Sequence, residues 1–133
     1  MSTTAHGTFK ITGWDEQDVH TGEGQPKMSV AHVTCDYSGG MEGKGFVEYV
    51  MGYAGDGTAQ FVAMERFEGA LDGRSGSFVM RVVGEFRDGA AAGQRTIVAG
   101  SGTDELAGIA GEGSFRAEHG APEASWELDC TLA

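Results

Sequence analysis

The residues best suited to chemistry are two carboxylates and an arginine that fall among large apolar side chains. Glu48, Glu65 and Arg95 each lie in a segment where apolar and polar residues alternate. A carboxylate buried in an apolar cavity has a raised pKa, which suits general acid–base catalysis or the binding of a polar ligand head. The alternative is structural: either glutamate would pair with Arg66, Arg81 or Arg95 and help to fill the interior.

These side chains belong to three neighbouring segments that form the centre of the predicted fold. The segments are 46–53, 59–67 and 77–86. Turns rich in Gly and Asp separate them, which predicts three adjacent antiparallel strands. Asp72-Gly73 and Asp88-Gly89 are strong signals for two-residue hairpins, because both central residues of such a turn adopt positive φ.

The turns also predict which side chains share a face of the sheet. A hairpin centred on Gly55-Asp56 places Glu48 diagonally across from Glu65, roughly 7–8 Å away, and the later turns extend this face to Arg95. We assign to the interior the face that comprises Phe46, Glu48, Val50, Phe61, Ala63, Glu65, Phe67, Phe78, Met80, Val82, Phe86, Arg95 and Ile97. The candidate ligand-binding residues are Glu48, Glu65, Arg95, Arg81, Phe46, Phe61, Phe67, Phe78 and Met80. A one-residue difference in either turn would exchange the faces.

Five further alternating segments bring the total to eight predicted strands. They are 7–14, 27–37, 91–99, 111–118 and 125–132, with an acidic loop at 15–25 and a helical-looking turn at 101–108. Eight consecutive strands with short connections favour an all-β, antiparallel up-and-down barrel. We expect 1–133 to form one domain. A barrel of eight strands either fills with side chains or holds one small ligand.

The opposite face of the three central segments is also more apolar than a solvent-facing surface should be. It carries Val47, Tyr49, Met51, Val62, Met64, Arg81 and Val83 among others. Either the two faces are exchanged, or another subunit covers the barrel wall. We expect a homo-oligomer.

The overall charge excludes two classes of partner. Nine basic and twenty acidic side chains give a net charge of −11, which argues against nucleic acid and against an anionic membrane surface. No apolar run approaches the roughly 20 residues that span a bilayer. Because no basic flank precedes an apolar core near the start of the sequence, we predict no signal peptide and a cytoplasmic protein.

Signals for metals, cofactors and disulfides are weak. His6, His20, His32 and His119 are scattered without metal-ligand spacing, and no glycine-rich segment matches a dinucleotide loop. We therefore predict neither a metal nor a cofactor. Cys35 and Cys130 lie within alternating strands, so that two buried, free thiols are expected.

Several stretches carry a resemblance to a known family. These stretches are 65–78, 100–108 and the opening Gly7-Thr8-Phe9. Together they resemble a family of small uncharacterised bacterial proteins assigned to the allene oxide cyclase-like barrel. The segment 108–120 also resembles the strand opening of allene oxide cyclases and dirigent proteins. The resemblance implies a calycin-type barrel with an apolar interior, and oligomeric relatives that close rings or bind hydrophobic small molecules, but it transfers no catalytic residue.

Three functions remain open at this point. The first is the binding of a hydrophobic small molecule by a cofactor-free cyclase or isomerase, in which Glu48 and Glu65 orient or protonate the ligand and Arg95 or Arg81 binds an anionic head. The second is a non-catalytic, lipocalin-like carrier that uses the same cavity. The third is a packed barrel that acts through its oligomeric surface.

Overall fold

The computed structural model describes residues 2–132, which form a closed barrel of eight antiparallel strands. Each strand pairs with its neighbours in sequence, and the last pairs with the first. The strands are β1 (Ser2–Asp18), β2 (Met28–Gly39), β3 (Met41–Tyr53), β4 (Ala59–Leu71), β5 (Arg74–Arg87), β6 (Ala90–Ile97), β7 (Ala110–Glu118) and β8 (Ala124–Thr131). The predicted all-β, eight-stranded barrel is confirmed.

Two of the predicted hairpins have the expected turns. Asp72 and Gly73 have φ values of 50° and 80°, and Asp88 and Gly89 have values of 53° and 79°. Positive φ at both central residues matches the twist of the flanking strands. The register from β4 to β6 therefore follows the sequence prediction, and Glu65 pairs with Met80 and Val82 with Arg95.

The predicted turn at Gly55-Asp56 is wrong, and the faces of β3 are therefore exchanged. Tyr53 pairs with Ala59, which leaves the five-residue loop 54–58 between them. The longer loop shifts the register by one residue, so that Val47 pairs with Glu65 and Glu48 is not its diagonal neighbour on the same face. Because side chains alternate between faces, this shift turns every predicted interior residue of β3 outward. Phe46, Glu48 and Val50 are exposed on the outer surface.

Strand β1 contains a bulge and extends beyond the end that the sequence predicted. The register with β2 shifts between Ile11 and Gly13, as expected when one strand gains an extra residue. The strand continues to pair beyond Trp14, so that the predicted loop 15–25 begins later. The shift brings Trp14 and Glu16 opposite interior residues of β2.

The two ends of the barrel differ. At one end, the segment between β6 and β7 contains a single 3₁₀ turn (Asp104–Leu106), within the predicted helical stretch. Leu106 and Ile109 from this segment are fully buried in the core cluster that also contains Met41 and Leu71, and they close that end. The other end carries the loop 54–58 and remains open. Within residues 2–132, no helix is long and apolar enough to cross a membrane.

Candidate functional site

The open end of the barrel contains a cavity of about 570 Å³, here called the mouth cavity. Its wall is largely aromatic, with contributions from Phe9, Trp14, Tyr49, Phe61, Phe86 and Phe115. Met51 and Ala91 add aliphatic surface, and His119 lies at the rim. Such a lining buries apolar ligand surface efficiently, because aromatic side chains offer large, rigid contact areas.

Three phenylalanines pack together where the mouth cavity meets the filled part of the barrel. The ring of Phe115 lies 5.9 Å from that of Phe9 and 6.1 Å from that of Phe61, measured between centroids. Each of the three is almost fully buried. We refer to Phe9, Phe61 and Phe115 as the aromatic floor. It separates the mouth cavity from the interior below.

A buried polar cluster of Tyr37, Glu65 and Arg95 lies beneath the aromatic floor. These residues come from β2, β4 and β6, and Glu65 and Arg95 are only 1% and 3% exposed. The Tyr37 hydroxyl donates a hydrogen bond of 2.5 Å to Glu65 Oε2. Arg95 Nη2 donates to the Tyr37 hydroxyl at 2.6 Å and to Glu65 Oε1 at 3.1 Å. Arg95 Nε has no hydrogen-bond partner among residues 2–132.

The pKa shifts in the cluster favour a fixed protonation state. Burial raises the pKa of Tyr37 well above its ordinary value, so that the phenol keeps its proton and remains a donor. Burial alone would lower the pKa of Arg95, but the nearby Glu65 carboxylate opposes this effect and the net shift is upward. The guanidinium therefore stays charged and neutralises a carboxylate that water does not reach. This arrangement suits a structural ion pair better than proton transfer.

The missing side chain of Gly45 makes room for this cluster. Gly45 lies on the interior face of β3, next to Glu65 on β4. A methyl group at this position would overlap Glu65 Oε2 and would lie 2.8 Å from Cε1 of Tyr37. Protein interiors are packed tightly enough that one extra carbon forces neighbouring groups to move.

A second carboxylate, Glu16, organises the rim of the mouth cavity. Ser29 Oγ and the Tyr53 hydroxyl each donate to Glu16 Oε2 at 2.7 Å. Trp14 Nε1 donates to Oε1 at 3.1 Å, and Lys27 Nζ lies 3.2 Å from Oε2. Although burial opposes ionisation, the bonds from Ser29, Tyr53, Lys27 and Trp14 lower the pKa of Glu16 from 4.5 to about 2. The ionised carboxylate thus holds two aromatic wall residues, Trp14 and Tyr53.

The structure separates the sequence-predicted site residues into four groups. Phe61 lines the mouth cavity, whereas Glu65 and Arg95 lie in the buried cluster. Fully buried in the packed interior are Phe67, Phe78 and Met80. Exposed on the outer wall are Phe46, Glu48 and Arg81. The predicted approach of Glu48 to Glu65 on one face is therefore wrong, because the barrel wall separates the two side chains.

Sequence reasoning did not identify Glu16 or Tyr37 as site residues. Glu16 falls in the segment that was predicted as a loop, because nothing in the residue types indicates the bulge after Ile11. Tyr37 ends the row of alternate residues Ala31, Val33, Cys35 and Tyr37, whose side chains are all buried. That row does not indicate its bond to Glu65, which depends on how β2 and β4 face each other across the barrel.

The remaining reactive side chains form no further site within residues 2–132. Cys35 and Cys130 are free and buried, as predicted. Burial raises the pKa of Cys35 to about 12, so that its thiol stays protonated and unreactive. No group of three or more His, Cys, Asp or Glu side chains in this part of the chain is placed to hold a metal ion.

The fold and the mouth cavity together define a small closed β-barrel with one open end. The model of the family described as "Protein of unknown function (DUF3224)" matches residues 5–129. The chain therefore belongs to the DUF3224 family. This confirms the expected membership of a family of unknown function, whereas the likeness to allene oxide cyclases stays a prediction.

A solved structure from the same family has a similar fold. The crystal structure of a DUF3224 protein of unknown function from Shewanella oneidensis MR-1 superimposes with a TM-score of 0.83 at 25% sequence identity. The alignment covers 100% of this chain and 99% of that one. No match to a curated protein was found.

Proposed function

We propose that this protein binds a small, apolar molecule in the mouth cavity. The observation that carries the proposal is the combination of a 570 Å³ volume with a largely aromatic wall. Ligand sites in proteins are typically concave, mostly apolar, and about 300–1,000 Å³ in volume. A molecule that enters the cavity would remove apolar wall surface from water, which stabilises the complex by about 25 cal/mol per Å².

The fixed wall residues support binding with little reorganisation. Trp14 and Tyr53 face the cavity with their rings while their polar atoms bond to Glu16. A wall that is held in place before binding loses less side-chain entropy when the ligand arrives. The hydrogen bonds at the rim therefore support a preformed ligand-binding pocket.

The position of the charged groups favours binding over catalysis. Glu65, the glutamate that the sequence suggested as an acid or base, lies below the aromatic floor and does not line the mouth cavity. Its two oxygens already accept hydrogen bonds from Tyr37 and Arg95. A ligand above the floor would have no direct contact with this carboxylate. We therefore favour a carrier or sensor of a hydrophobic molecule over a cyclase or isomerase.

The test is a titration with N-phenyl-1-naphthylamine, an uncharged apolar probe whose emission increases in apolar surroundings. We expect saturable binding of one probe per chain. Ala91→Trp, which fills the mouth cavity, should weaken binding at least about tenfold, a difference of about 1.4 kcal/mol. Ala92→Trp is the matched control, because its side chain points to the other face of β6. Absence of saturable binding, or equal binding by both variants, would overturn the proposal.

A further inference from the structure

The outer wall of β3, β4 and β5 is an apolar surface that no other part of the described chain covers. Five large side chains there are between 42% and 51% exposed: Phe46, Val50, Val62, Met64 and Val83. Exposed apolar groups that are scattered singly need no explanation, but contiguous ones mark interaction sites. These five are contiguous, because they lie on three neighbouring strands.

The strand register arranges this surface in three rows. From β3 to β5 the rows are Val50–Val62–Val83, then Glu48–Met64–Arg81, then Phe46–Arg66–Val79. We call these nine residues the outer patch. Its first row is wholly apolar, and its middle row has a methionine between opposite charges. Across β4, the first row therefore has a valine on both sides, and the middle row has opposite charges on its two sides.

The charges of the outer patch are incompletely paired within the chain. Arg81 forms no salt bridge with any described residue, although the protein carries twenty acidic side chains. Among the described residues, the one ion pair of Glu48 is with His32 on the neighbouring strand β2. A cation without a partner on an apolar surface favours an acidic group that comes from outside the chain.

We propose that the outer patch binds the outer patch of a second copy of this chain. A two-fold axis parallel to the strands and running along β4 would bring β3 of one protomer over β5 of its partner. Glu48 of each protomer then meets Arg81 of the other, and this ion pair forms twice. In the first row, Val50 meets Val83, and Val62 meets its own symmetry mate. A two-fold interface uses the same surface on both subunits, and the layout of the outer patch is self-complementary in this sense.

The third row fits the same arrangement. Phe46 of one protomer meets Val79 of the other, an apolar contact. Arg66 meets its own counterpart, but it lies at one end of the patch, where its long side chain can extend the guanidinium into water. A shift of the axis to β3 or β5 would remove the Glu48–Arg81 pairing. The charges therefore select the axis along β4.

The size of the outer patch sets the expected strength of the dimer. Three strands about 4.8 Å apart and three rows about 6.6 Å apart cover roughly 300 Å². Stable interfaces bury about 800 Å² on each partner, and two convex barrel walls diverge on either side of the contact. We therefore expect a dimer that dissociates in the micromolar range and forms as the concentration rises.

The experiment is sedimentation velocity across a concentration series, with charge exchange at the proposed contact. Arg81→Glu and Glu48→Arg should each weaken the wild-type dimerisation at least about tenfold, because like charges then face each other. An equimolar mixture of the two variants should restore it, because both cross-dimer contacts again join opposite charges. Arg116→Glu, on the distant strand β7, is the control and should dimerise like the wild type.

A separate variant tests the apolar row. Val62→Glu places two carboxylates against each other on the axis and should yield a monomer with an unchanged circular dichroism spectrum. Ser125→Glu, on the outer face of β8, should leave dimerisation unchanged. A wild-type protein that stays monomeric at high micromolar concentration would overturn the proposal. A dimer that tolerates Arg81→Glu and Val62→Glu, or a mixture that fails to re-associate, would also overturn it.

Discussion

The guanidinium of Arg95 lies 4.9 Å from the centroid of the Phe115 ring. It is 5.3 Å from the ring of Phe9, which belongs to the same aromatic floor. Both rings also line the mouth cavity. The aromatic floor therefore has two functions: it contacts a buried cation below and provides apolar surface above.

The contact between Phe115 and Arg95 should contribute to stability. Phe115→Leu keeps an apolar side chain but removes the aromatic face that attracts the cation. We expect it to lower the free energy of unfolding by about 1–2 kcal/mol more than Phe61→Leu does, the value of a desolvated cation–π contact. Phe61 is the matched control, because it is 7% exposed against 6% for Phe115 and no cation lies over its ring among the described residues. Urea denaturation measures the free energy of unfolding of both variants. An equal decrease in the two variants would contradict the prediction.

Glu65→Gln should destabilise the fold strongly. The amide keeps the shape of the side chain, but it leaves the Arg95 charge buried without a counter-ion. Breaking a buried ion pair on one side costs about 3–5 kcal/mol. Glu112→Gln is the control, because Glu112 is exposed on the outer face of β7, and surface substitutions of this kind change stability by less than about 0.5 kcal/mol. Thermal and urea unfolding compare the stability of the two variants. A small decrease in the free energy of unfolding for Glu65→Gln would show that the Glu65–Arg95 ion pair does not stabilise the fold.

Gly45→Ala should also destabilise the protein, because its methyl group competes for the space of the Glu65 carboxylate. We expect a loss of about 1–3 kcal/mol in the free energy of unfolding, typical of an overpacked interior. Gly52→Ala, on the same strand, has no atom within 4 Å of the added methyl group. That variant should be neutral or slightly stabilising. If Gly52→Ala were more destabilising than Gly45→Ala, the result would contradict the described packing around Glu65.

Acid should remove the stabilising contribution of Glu16. The pKa of Glu16 is about 2 in the folded protein and is lowered from 4.5. A group whose pKa is depressed by folding stabilises fully above its unfolded pKa, and this contribution is lost as the pH falls through the folded value. The wild type should thus be more stable than Glu16→Gln at pH 6, and the difference should shrink from about pH 4.5 down to about pH 2. A difference that does not change with pH would show that the rim bonds do not depend on the carboxylate charge.

Part of the architecture was predictable because its signals are local. At Asp72-Gly73 and at Asp88-Gly89, two successive residues have positive φ, which fixes both the loop length and the register of the strands that each turn joins. For this reason the pairing of Glu65 with Met80 and of Val82 with Arg95 followed from the residues alone. The interior positions of Glu65 and Arg95 then followed from alternation.

The faces of β3 were not predictable in the same way. The segment 54–58 contains two glycines around Asp56, and turns of different length fit that composition. In the structure, Asp56 Oδ1 accepts hydrogen bonds from the backbone and the hydroxyl of Thr58, which holds a five-residue loop. Both faces of β3 are apolar, so hydrophobicity did not reveal the exchange of Phe46 and Val47. The outward face of β3 is apolar because it contributes Phe46 and Val50 to the outer patch.

The most direct test of the central claim locates a bound molecule within the barrel. Nuclear Overhauser effects between N-phenyl-1-naphthylamine and ¹³C-labelled methionine methyl groups report three regions: Met51 lines the mouth cavity, Met80 is fully buried, and Met64 lies on the outer wall. We expect contacts to the methyl group of Met51 and none to those of Met80 or Met64. Contacts to Met64 or Met80 in the absence of contacts to Met51 would contradict the account.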